Sequence, residues 1–278
     1  MLSDLGTPVP DWKPPQRPFA ALEEDYRRDA ADRNVCHGHD LAKLPQWAQP
    51  VIVGKTCSLV PLHVGHAEAL LDAFLTPKSS ATTTTEDIFK YLNHGPYTQA
   101  DGLRDWIARN AVANEDYVAM AVLDGPGPSS KPIGYIMYMA ICPEKGSVEV
   151  GHVTFSPLLQ RTRAATEVHF LLMQYAFQLG YRRYEWKCNS LNMPSRRAAQ
   201  RFGFSFEGIL RQAAVVKGHN RDTAYFSILD SEWPSLKAAF EAYLEDGNFD
   251  ASTGEQLTSL SALTKPLLAK RDPCQTDE

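Results

Sequence analysis

A strand-like segment ending at Phe155 is followed closely by a helix-like segment that begins near Ala164, and the turn between them carries Arg161 and Arg163. The first N–H groups of a helix have no partner within the helix, and the helix dipole adds positive potential at the same point. Guanidinium groups match phosphate oxygens geometrically. The turn therefore predicts an anion site, although a capped helix with solvated surface arginines fits the same residues.

Three further side chains are able to transfer protons. Glu149 and His152 lie three residues apart on a strand-like segment, which predicts that they point to opposite faces of a sheet. Ser195 lies at the start of a short helix-like segment. Each has a structural alternative: an exposed edge carboxylate or dimer contact for Glu149, a hydrogen-bonded core residue for His152, and a helix-capping hydroxyl for Ser195.

Periodicity predicts the elements that position these residues. The expected strands are Cys57–Val60, Tyr117–Leu123, Ile133–Ile141, Ser147–Phe155, Arg183–Cys188, Gly208–Val216 and Thr223–Leu229. The expected helices run through His66 and Ala73, and over Glu86–Asn93, Gln99–Asn114, Ala164–Leu179, Met193–Phe202 and residues 234–246. This order predicts an α+β fold, in which a mixed, mostly antiparallel central sheet is covered by helices.

The chain is expected to divide into three parts. Residues 1–50 are rich in proline and charge and are interpreted as an extended N-terminal arm, with one short helix near Ala20–Arg33. Residues 51–250 form the domain, and residues 251–278 form a C-terminal tail that we expect to be loosely attached after Gly254.

Three motifs occur in an order that resembles a known family. Gln160, Arg163 and Ala165 fall on the pattern Gln/Arg-x-x-Gly-x-Gly/Ala, with Arg163 where glycine is usual. Residues 149–152 resemble Glu-Ile-Gly-Tyr, and residues 192–204 resemble Asn-x-x-Ser followed by Gly-Phe. Together with a similar first strand, these motifs resemble the GNAT superfamily of N-acetyltransferases, in its RimJ/RimL-like branch, over residues 54–230.

The resemblance implies transfer of an acetyl group from acetyl-CoA, as acyl donor substrate, to a primary amine in a ternary complex without a metal. It implies donor-binding residues Val153, Thr154, Phe155, Gln160, Arg161, Thr162, Arg163, Ala164, Ala165, Thr166, Asn192 and Ser195. It implies acceptor-binding residues Tyr91, Tyr97, Trp106, Glu149 and Lys187. Hydrophobic helix packing is the alternative interpretation of the aromatic residues in this set.

The reaction assigns roles to some of these residues. An alkylammonium group has a pKa of about 10, so a base must remove its proton before attack. We favour Glu149 as this base, with His152 second. A main-chain N–H near Val153 or Thr154 would polarise the thioester oxygen, and Ser195 would serve the leaving thiolate.

Composition narrows the possible partners and compartment. Lys and Arg number 28 against 33 Asp and Glu, a net charge of −5, which gives no overall attraction to nucleic acid and mildly favours cationic or amine-bearing acceptors. The chain has no apolar run of about eighteen residues and no signal-like start, so we expect no membrane partner and a cytoplasmic or nuclear location. The five cysteines lack metal-like spacing and are expected to be reduced thiols.

The sequence is compatible with more than one acceptor. A small-molecule amine is favoured, while the α-amino group of a protein and a non-catalytic acyl-CoA binding role are the alternatives. Either a monomer or a homodimer is consistent with the sequence.

Overall fold

A computed structural model of the chain describes residues 13–18, 52–77, 84–114, 116–127 and 130–271. Most of the expected N-terminal arm, including the predicted helix at Ala20–Arg33, lies outside the described residues.

The described ranges form one eight-stranded sheet with helices on both faces. The strands are β1 Ile52–Val53, β2 Cys57–Pro61, β3 Val118–Asp124, β4 Pro132–Cys142, β5 Ser147–Phe155, β6 Arg183–Asn189, β7 Ser205–Val216 and β8 His219–Leu229. The helices are α1 Ala67–Leu75, α2 Thr85–Phe89, α3 Ala100–Trp106, α4 Arg163–Gln178, α5 Met193–Arg201, α6 Trp233–Leu244 and α7 Leu260–Arg271. Within the described ranges, every helix is too short or too polar to span a membrane.

The strands lie in the order β1-β2-β3-β4-β5-β6-β8-β7. Every neighbouring pair is antiparallel except β5 and β6, which are parallel. Parallel neighbours need a crossover connection, and α4 supplies it between these two strands. The predicted α+β class with a mixed, mostly antiparallel sheet is therefore confirmed.

The sheet separates two apolar cores. Val148 and Val150 of β5 pack on one face with residues of α4, such as Val168 and Leu172. The opposite face, which we call the acceptor face, is covered over β2 to β5 by α1, α2 and α3, with Phe74 among the buried residues. The period of two along a strand sends alternate residues to these two layers.

The helices on the acceptor face are shorter than the sequence predicts. We predicted a helix over Glu86–Asn93, but α2 ends at Phe89 and is followed by turns that lead to Gly95. We predicted a helix over Gln99–Asn114, but its α-helical part ends at Trp106 and the chain continues as a π-helical segment, Ile107–Val112.

For the described residues up to Arg271, the expectation of a loosely attached tail after Gly254 is wrong. Helix α7 packs against α5 and α6, and Leu260 at its start is fully buried. The Thr264 hydroxyl donates to the Arg201 carbonyl oxygen at 3.0 Å, and the Arg271 guanidinium donates to the Gly203 carbonyl oxygen at 2.8 Å. Helix propensity did not predict α7, because Pro266 lies inside it and proline removes one helical hydrogen bond.

One carboxylate joins α4 to the turn between β1 and β2. Glu167 accepts hydrogen bonds from the main-chain N–H groups of Lys55 and Thr56, each at 2.7 Å, and from the Thr56 hydroxyl at 2.5 Å. A Cβ at Gly54 would lie 2.7 Å from the Glu167 carboxyl carbon, so only glycine leaves room for this carboxylate. Burial and the adjacent Glu167 raise the pKa of the Cys57 thiol, which stays protonated.

Replacing this carboxylate should destabilise the domain. In Glu167→Ala the N–H groups of Lys55 and Thr56 lose their acceptor in a part-buried site, so we expect the free energy of unfolding to fall by about 2–4 kcal/mol. Glu241→Ala, which removes an exposed ion pair with Lys237, is the control and should change it by less than about 1 kcal/mol. Urea denaturation measures both, and equal effects of the two variants would contradict the role of Glu167.

Candidate active site

The parallel pair β5 and β6 separates after a short run. Pairing extends from Ser147 with Arg183 to Val150 with Trp186 and then stops. Beyond that point β5 remains paired with β4 as far as Phe155, and β6 remains paired with β8 as far as Asn189. The carboxyl ends of the two strands therefore bound a cleft in the middle of the sheet.

A β-bulge at His152 shapes one wall of this cleft. Gly151 pairs with Met137 and Thr154 with Tyr135, so His152 and Val153 oppose a single residue of β4. The backbone φ of His152 is 46°, in the left-handed region. A bulge leaves the extra residue outside the hydrogen-bonded ladder. Main-chain groups near Val153 are thus released from β4 at the edge of the cleft.

The bulge also corrects the predicted orientation of the two candidate bases. His152 contacts Trp106 and Tyr117 on the acceptor face, with ring centroids 5.7 and 5.6 Å apart. Burial raises the pKa of Tyr117, with smaller contributions from Asp116 and from Glu149, which is on the same face. The prediction that Glu149 and His152 point to opposite faces is therefore wrong, because it assumed a regular strand.

Aromatic rings line the acceptor face beside the bulge, and we call them the aromatic wall: His94, Tyr97, Trp106, Tyr117 and His152. His94 is stacked on Trp106 with ring centroids 3.8 Å apart, and lies 5.4 Å from the His152 ring. The Tyr97 hydroxyl is 3.2 Å from His94 Nδ1. Tyr97 and Trp106 were predicted here from the sequence. His94 and Tyr117 were missed: His94 lies in a turn without periodicity, and Tyr117 was predicted only as the first residue of a strand, although β3 begins at Val118.

Both histidines of the wall are held neutral. Burial lowers the pKa of His94 to about 3, with further contributions from the neighbouring His152 and Lys217. Burial, with a further contribution from Arg221, lowers the pKa of His152 to about 4. Neutral imidazoles keep a free nitrogen lone pair at pH 7, and the buried Nδ1 of His152 has no hydrogen-bond partner in the described part of the chain.

An ion-pair network continues along the acceptor face from Glu149. Lys187 Nζ lies 2.8 Å from a Glu149 carboxylate oxygen and 2.8 Å from one of Glu185. Burial raises the pKa of Glu149, and the adjacent Lys187 partly opposes this rise. For Lys187, burial acts to lower the pKa, but the neighbouring Glu149 and Glu185 carboxylates raise it. Lys187 thus faces the predicted acceptor side, and Trp186 faces the opposite core.

Ser195 lies on that opposite side of β6. The Asn192 side-chain oxygen accepts from the Ser195 N–H at 3.2 Å, which caps α5. Trp186 Nε1 donates to Ser195 Oγ at 3.0 Å. An indole nitrogen is only a donor, so the hydroxyl accepts this bond and retains its own proton to donate. The capping role considered for Ser195 belongs to Asn192.

Side chains of the turn before α4 fix its conformation through hydrogen bonds to the backbone. Gln160 Nε2 donates to the Phe155 carbonyl oxygen at 2.7 Å. Thr162 is the N-cap: its hydroxyl accepts from the Ala165 N–H at 3.1 Å and donates to the Leu159 carbonyl oxygen at 2.6 Å. Helix geometry then leaves the two N–H groups before Ala165 as donors without helical partners.

The Arg163 side chain points away from this turn. Its guanidinium contacts the Leu244 carbonyl oxygen and Asp246, the latter at 2.6 Å, and stacks on the Phe249 ring at 4.4 Å. We expected the guanidinium groups of both Arg161 and Arg163 beside the anion site. That of Arg163 is bound elsewhere, so only Arg161 remains a candidate. The residue that departs from the glycine pattern thus attaches α4 to the segment after α6.

On the acceptor face, two hydrogen bonds join the segment at the end of α2 to the β7–β8 turn and to the loop before α5, and we call them the two bridges. Lys217 Nζ, at the turn between β7 and β8, donates to the Phe89 carbonyl oxygen at 2.9 Å. The Tyr91 hydroxyl donates to the Leu191 carbonyl oxygen at 3.1 Å. Tyr91, predicted as an acceptor-side residue, thus lies at the rim of the cleft. In the part of the chain that the structure describes, we find no cluster of three His, Cys, Asp or Glu suited to a metal ion.

Comparison with known proteins adds family evidence to this geometry. The family described as "Acetyltransferase (GNAT) domain" matches residues 58–205. A GCN5-related N-acetyltransferase from Brucella melitensis is 44% identical over 78% of this chain and 95% of its own, with a TM-score of 0.70. A GNAT-family protein from Chromobacterium violaceum is 41% identical over 69% and 96%, with a TM-score of 0.56.

The same fold recurs at much lower identity. The microcin C7 self-immunity acetyltransferase MccE, solved with acetyl-CoA and AMP, is 18% identical over 68% of this chain and 99% of its own, with a TM-score of 0.54. A comparison with curated proteins gives no match.

Histidines that are held neutral in the folded protein, two of them buried and two half-buried, predict a pH dependence of stability. The folded-state pKa is about 3 for His66, His94 and His169 and about 4 for His152, against 6.5 for an unperturbed histidine. Below about 6.5 the unfolded chain therefore binds more protons, so stability is complete above that pH and is lost as the pH falls towards 4. We expect the free energy of unfolding to drop by about 1 kcal/mol per histidine between pH 7.5 and 5.5.

Urea midpoints at the two pH values measure this drop. His219→Gln, at an exposed position, serves as the control and should leave the difference unchanged. A midpoint equal at pH 7.5 and 5.5 in the unmodified protein would show that these imidazoles are not held in neutral form.

Proposed function

The chain belongs to the GNAT acetyltransferase family, and we propose that it moves the acetyl group of acetyl-CoA to a primary amine of a small molecule in a ternary complex. The observation that carries this proposal is the cleft where β5 and β6 separate beyond Val150 and Trp186. The turn before α4 lies at one end of this cleft, and Glu149 with the aromatic wall lies on its acceptor face. A thioester placed between the strands would be open to attack from that face.

The turn before α4 suits the donor's pyrophosphate. Thr162 and Gln160 hold the turn, and the N–H groups of Arg163 and Ala164 remain as anion donors at the positive end of a sixteen-residue helix. Arg161, an exposed residue of the same turn, is the remaining cationic residue. We propose that Val153, Thr154 and Phe155 line the pantetheine arm through their main chain. Thr166 lies in the first turn of α4, next to the proposed pyrophosphate site.

The chemical step transfers the acetyl group directly. The neutral amine nitrogen attacks the thioester carbonyl carbon, a C–N bond forms, and the C–S bond breaks to release the coenzyme A thiolate. The nitrogen then loses its second proton, which through solvent replaces the proton that Ser195 gives to the sulfur, so that the products are a neutral amide and a thiol. A main-chain N–H near Val153, freed from β4 by the bulge, is our proposed donor to the thioester oxygen. No covalent enzyme intermediate is needed.

Glu149 is our proposed base for the amine proton, with His152 second. Glu149 is 6% exposed and pairs with Lys187, which holds its carboxylate toward the acceptor face. Neutral His152 lies beside Tyr117 on the same face, and we propose that it could receive the proton through a water molecule. Because both side chains share one face, the two groups are able to act on the same amine.

Ser195 is our proposed proton donor to the leaving thiolate. Its hydroxyl accepts from Trp186 and so has its own proton to give. It lies on the face of β6 opposite Lys187, so the base and the thiolate partner would approach the thioester from opposite sides of the sheet. We propose that Asn192 serves mainly by fixing Ser195 through the cap of α5.

The two bridges favour a small acceptor over a protein chain. They join the Phe89–Tyr91 segment to the β7–β8 turn and to Leu191, across the rim of the acceptor face. A protein N-terminus would have to pass between these contacts. We also propose a reducing, cytoplasmic location, which suits the free thiols of Cys57, Cys142 and Cys188.

Two measurements test the proposed reaction. Calorimetry with acetyl-CoA should show binding by the purified protein, and thiol release should be detected when a panel of primary amines is added. Binding without thiol release from any amine would favour a non-catalytic acyl-CoA binding role. Absence of binding would remove the proposal at its first step.

Replacing Ser195 separates binding from chemistry. In Ser195→Ala we expect an unchanged acetyl-CoA dissociation constant and a kcat lower by about 10²-fold, since the thiolate would leave without its proton donor. Ser231→Ala, at an exposed position before α6, is the control and should match the unmodified enzyme. An unchanged kcat in Ser195→Ala would exclude this role.

A further inference from the structure

The carboxylates on the open part of the acceptor face are all paired within the protein. This part is formed by β6, β7 and β8, beyond the cover of α1 to α3. Lys187 pairs with Glu149 and Glu185, and Arg183 pairs with Glu185 and Glu207. Glu207 also accepts from the Ser227 hydroxyl at 2.7 Å. Three carboxylates therefore share two cations, and cations outnumber carboxylates here only if further ones lie on the same face.

Arg221 adds a cation at the cleft that forms no ion pair with a described carboxylate, although its charge opposes the rise in the pKa of Glu149. Thr223 of β8 pairs with Asn189, the last residue of β6, so Arg221 lies beyond the end of β6 where the cleft opens. Its Nε donates to Thr223 Oγ1 at 3.3 Å. Tyr225, which shares the strand face of Arg221 and Thr223, has its ring centroid 5.3 Å from Lys187 Nζ, which identifies this side as the acceptor face. No described carboxylate is within ion-pair distance of Arg221.

Lys217 supplies a second cation at the rim of the same face. Its Nζ is held by a main-chain carbonyl oxygen, that of Phe89, rather than by a carboxylate of the described residues. Burial is the main cause of the lowered pKa of His94, and the charge of Lys217 contributes to it. In the same way, the charge of Arg221 adds to the effect of burial on the pKa of His152. Each cation is thus near one histidine of the aromatic wall, and the side chains of the wall are neutral.

We propose that the acceptor is an amine that also carries an anionic oxygen group, a carboxylate or a phosphate, bound by Arg221 with Lys217 at the rim. This inference rests on the proposed acetyl transfer. The amine would lie toward Glu149, whose carboxylate is negative, and the anionic group toward the end of β8. A guanidinium binds such oxygens in a bidentate manner. The local excess of cations reverses the preference that the net charge of −5 suggests for the whole chain.

Matched pairs of acceptors test the inference. γ-Aminobutyrate is compared with n-butylamine, and phosphoethanolamine with ethanolamine, so that each pair differs chiefly by the anionic group. We expect kcat/KM for at least one anionic member to exceed that of its partner by about tenfold or more, mainly through KM. The pair that shows the preference distinguishes carboxylate from phosphate.

Variants connect the preference to the residue. Arg221→Gln should reduce the ratio of kcat/KM within the preferred pair by about tenfold, and Arg221→Lys should restore part of it. Arg211→Gln, at an exposed arginine of β7 beside Asp222, is the matched control and should keep the ratio of the unmodified enzyme. Calorimetry should give the same acetyl-CoA affinity for Arg221→Gln and for the unmodified enzyme.

Three outcomes would overturn the inference while leaving acetyl transfer intact. One is acetylation of the uncharged amines as efficiently as their anionic partners. Another is an anionic preference that Arg221→Gln does not change. The third is a loss of acetyl-CoA affinity in Arg221→Gln, which would assign the cation to the donor. If acetyl-CoA binds but no amine of either kind is acetylated, the proposed reaction itself fails.

Discussion

The limited pairing between β5 and β6 is the constraint on which the rest of the site depends. Hydrogen bonds join the two strands only as far as Val150 and Trp186, because β5 then follows β4 while β6 follows β8. The separation opens the sheet at its centre, where unpaired backbone is tolerated only beside a ligand or water. The opening gives both faces access to one point. Residues of α4 and α5 reach it from one side, and Glu149, His152 and the aromatic wall reach it from the other.

Much of this arrangement was predictable from residue patterns, and the reasons for the failures are specific. Alternation located β5 within its observed bounds, and a period of 3.6 located α4 within one residue at each end. The same alternation failed at His152, because a bulge adds one residue and a pattern of side chains does not reveal it. Helix α7 was missed because Pro266 lies inside it. His94 was missed because a turn, rather than periodicity, places its ring on Trp106.

Electrostatics shows a similar difference between whole-chain and local properties. The net charge of the sequence is −5, yet the acceptor face pairs its carboxylates internally and leaves Arg221 and Lys217 without carboxylate partners among the described residues. Arg163 shows the reverse case on the donor side. A motif position suggested a phosphate ligand, and tertiary packing uses its guanidinium to hold the segment around Asp246. Charge at a position therefore identifies a ligand site only after its intramolecular partners are known.

The two bridges have a consequence for the rate at which the site exchanges its contents. Both end on main-chain carbonyl oxygens, those of Phe89 and Leu191, so opening them breaks two hydrogen bonds and leaves the sheet intact. A net loss of about 1–3 kcal/mol corresponds to an open population of roughly half a per cent to fifteen per cent. Side-chain and loop motions of this kind occur in nanoseconds to microseconds. Entry of a small amine and exit of its amide would then be fast relative to an ordinary enzymatic turnover, and release would not need the domain to unfold locally.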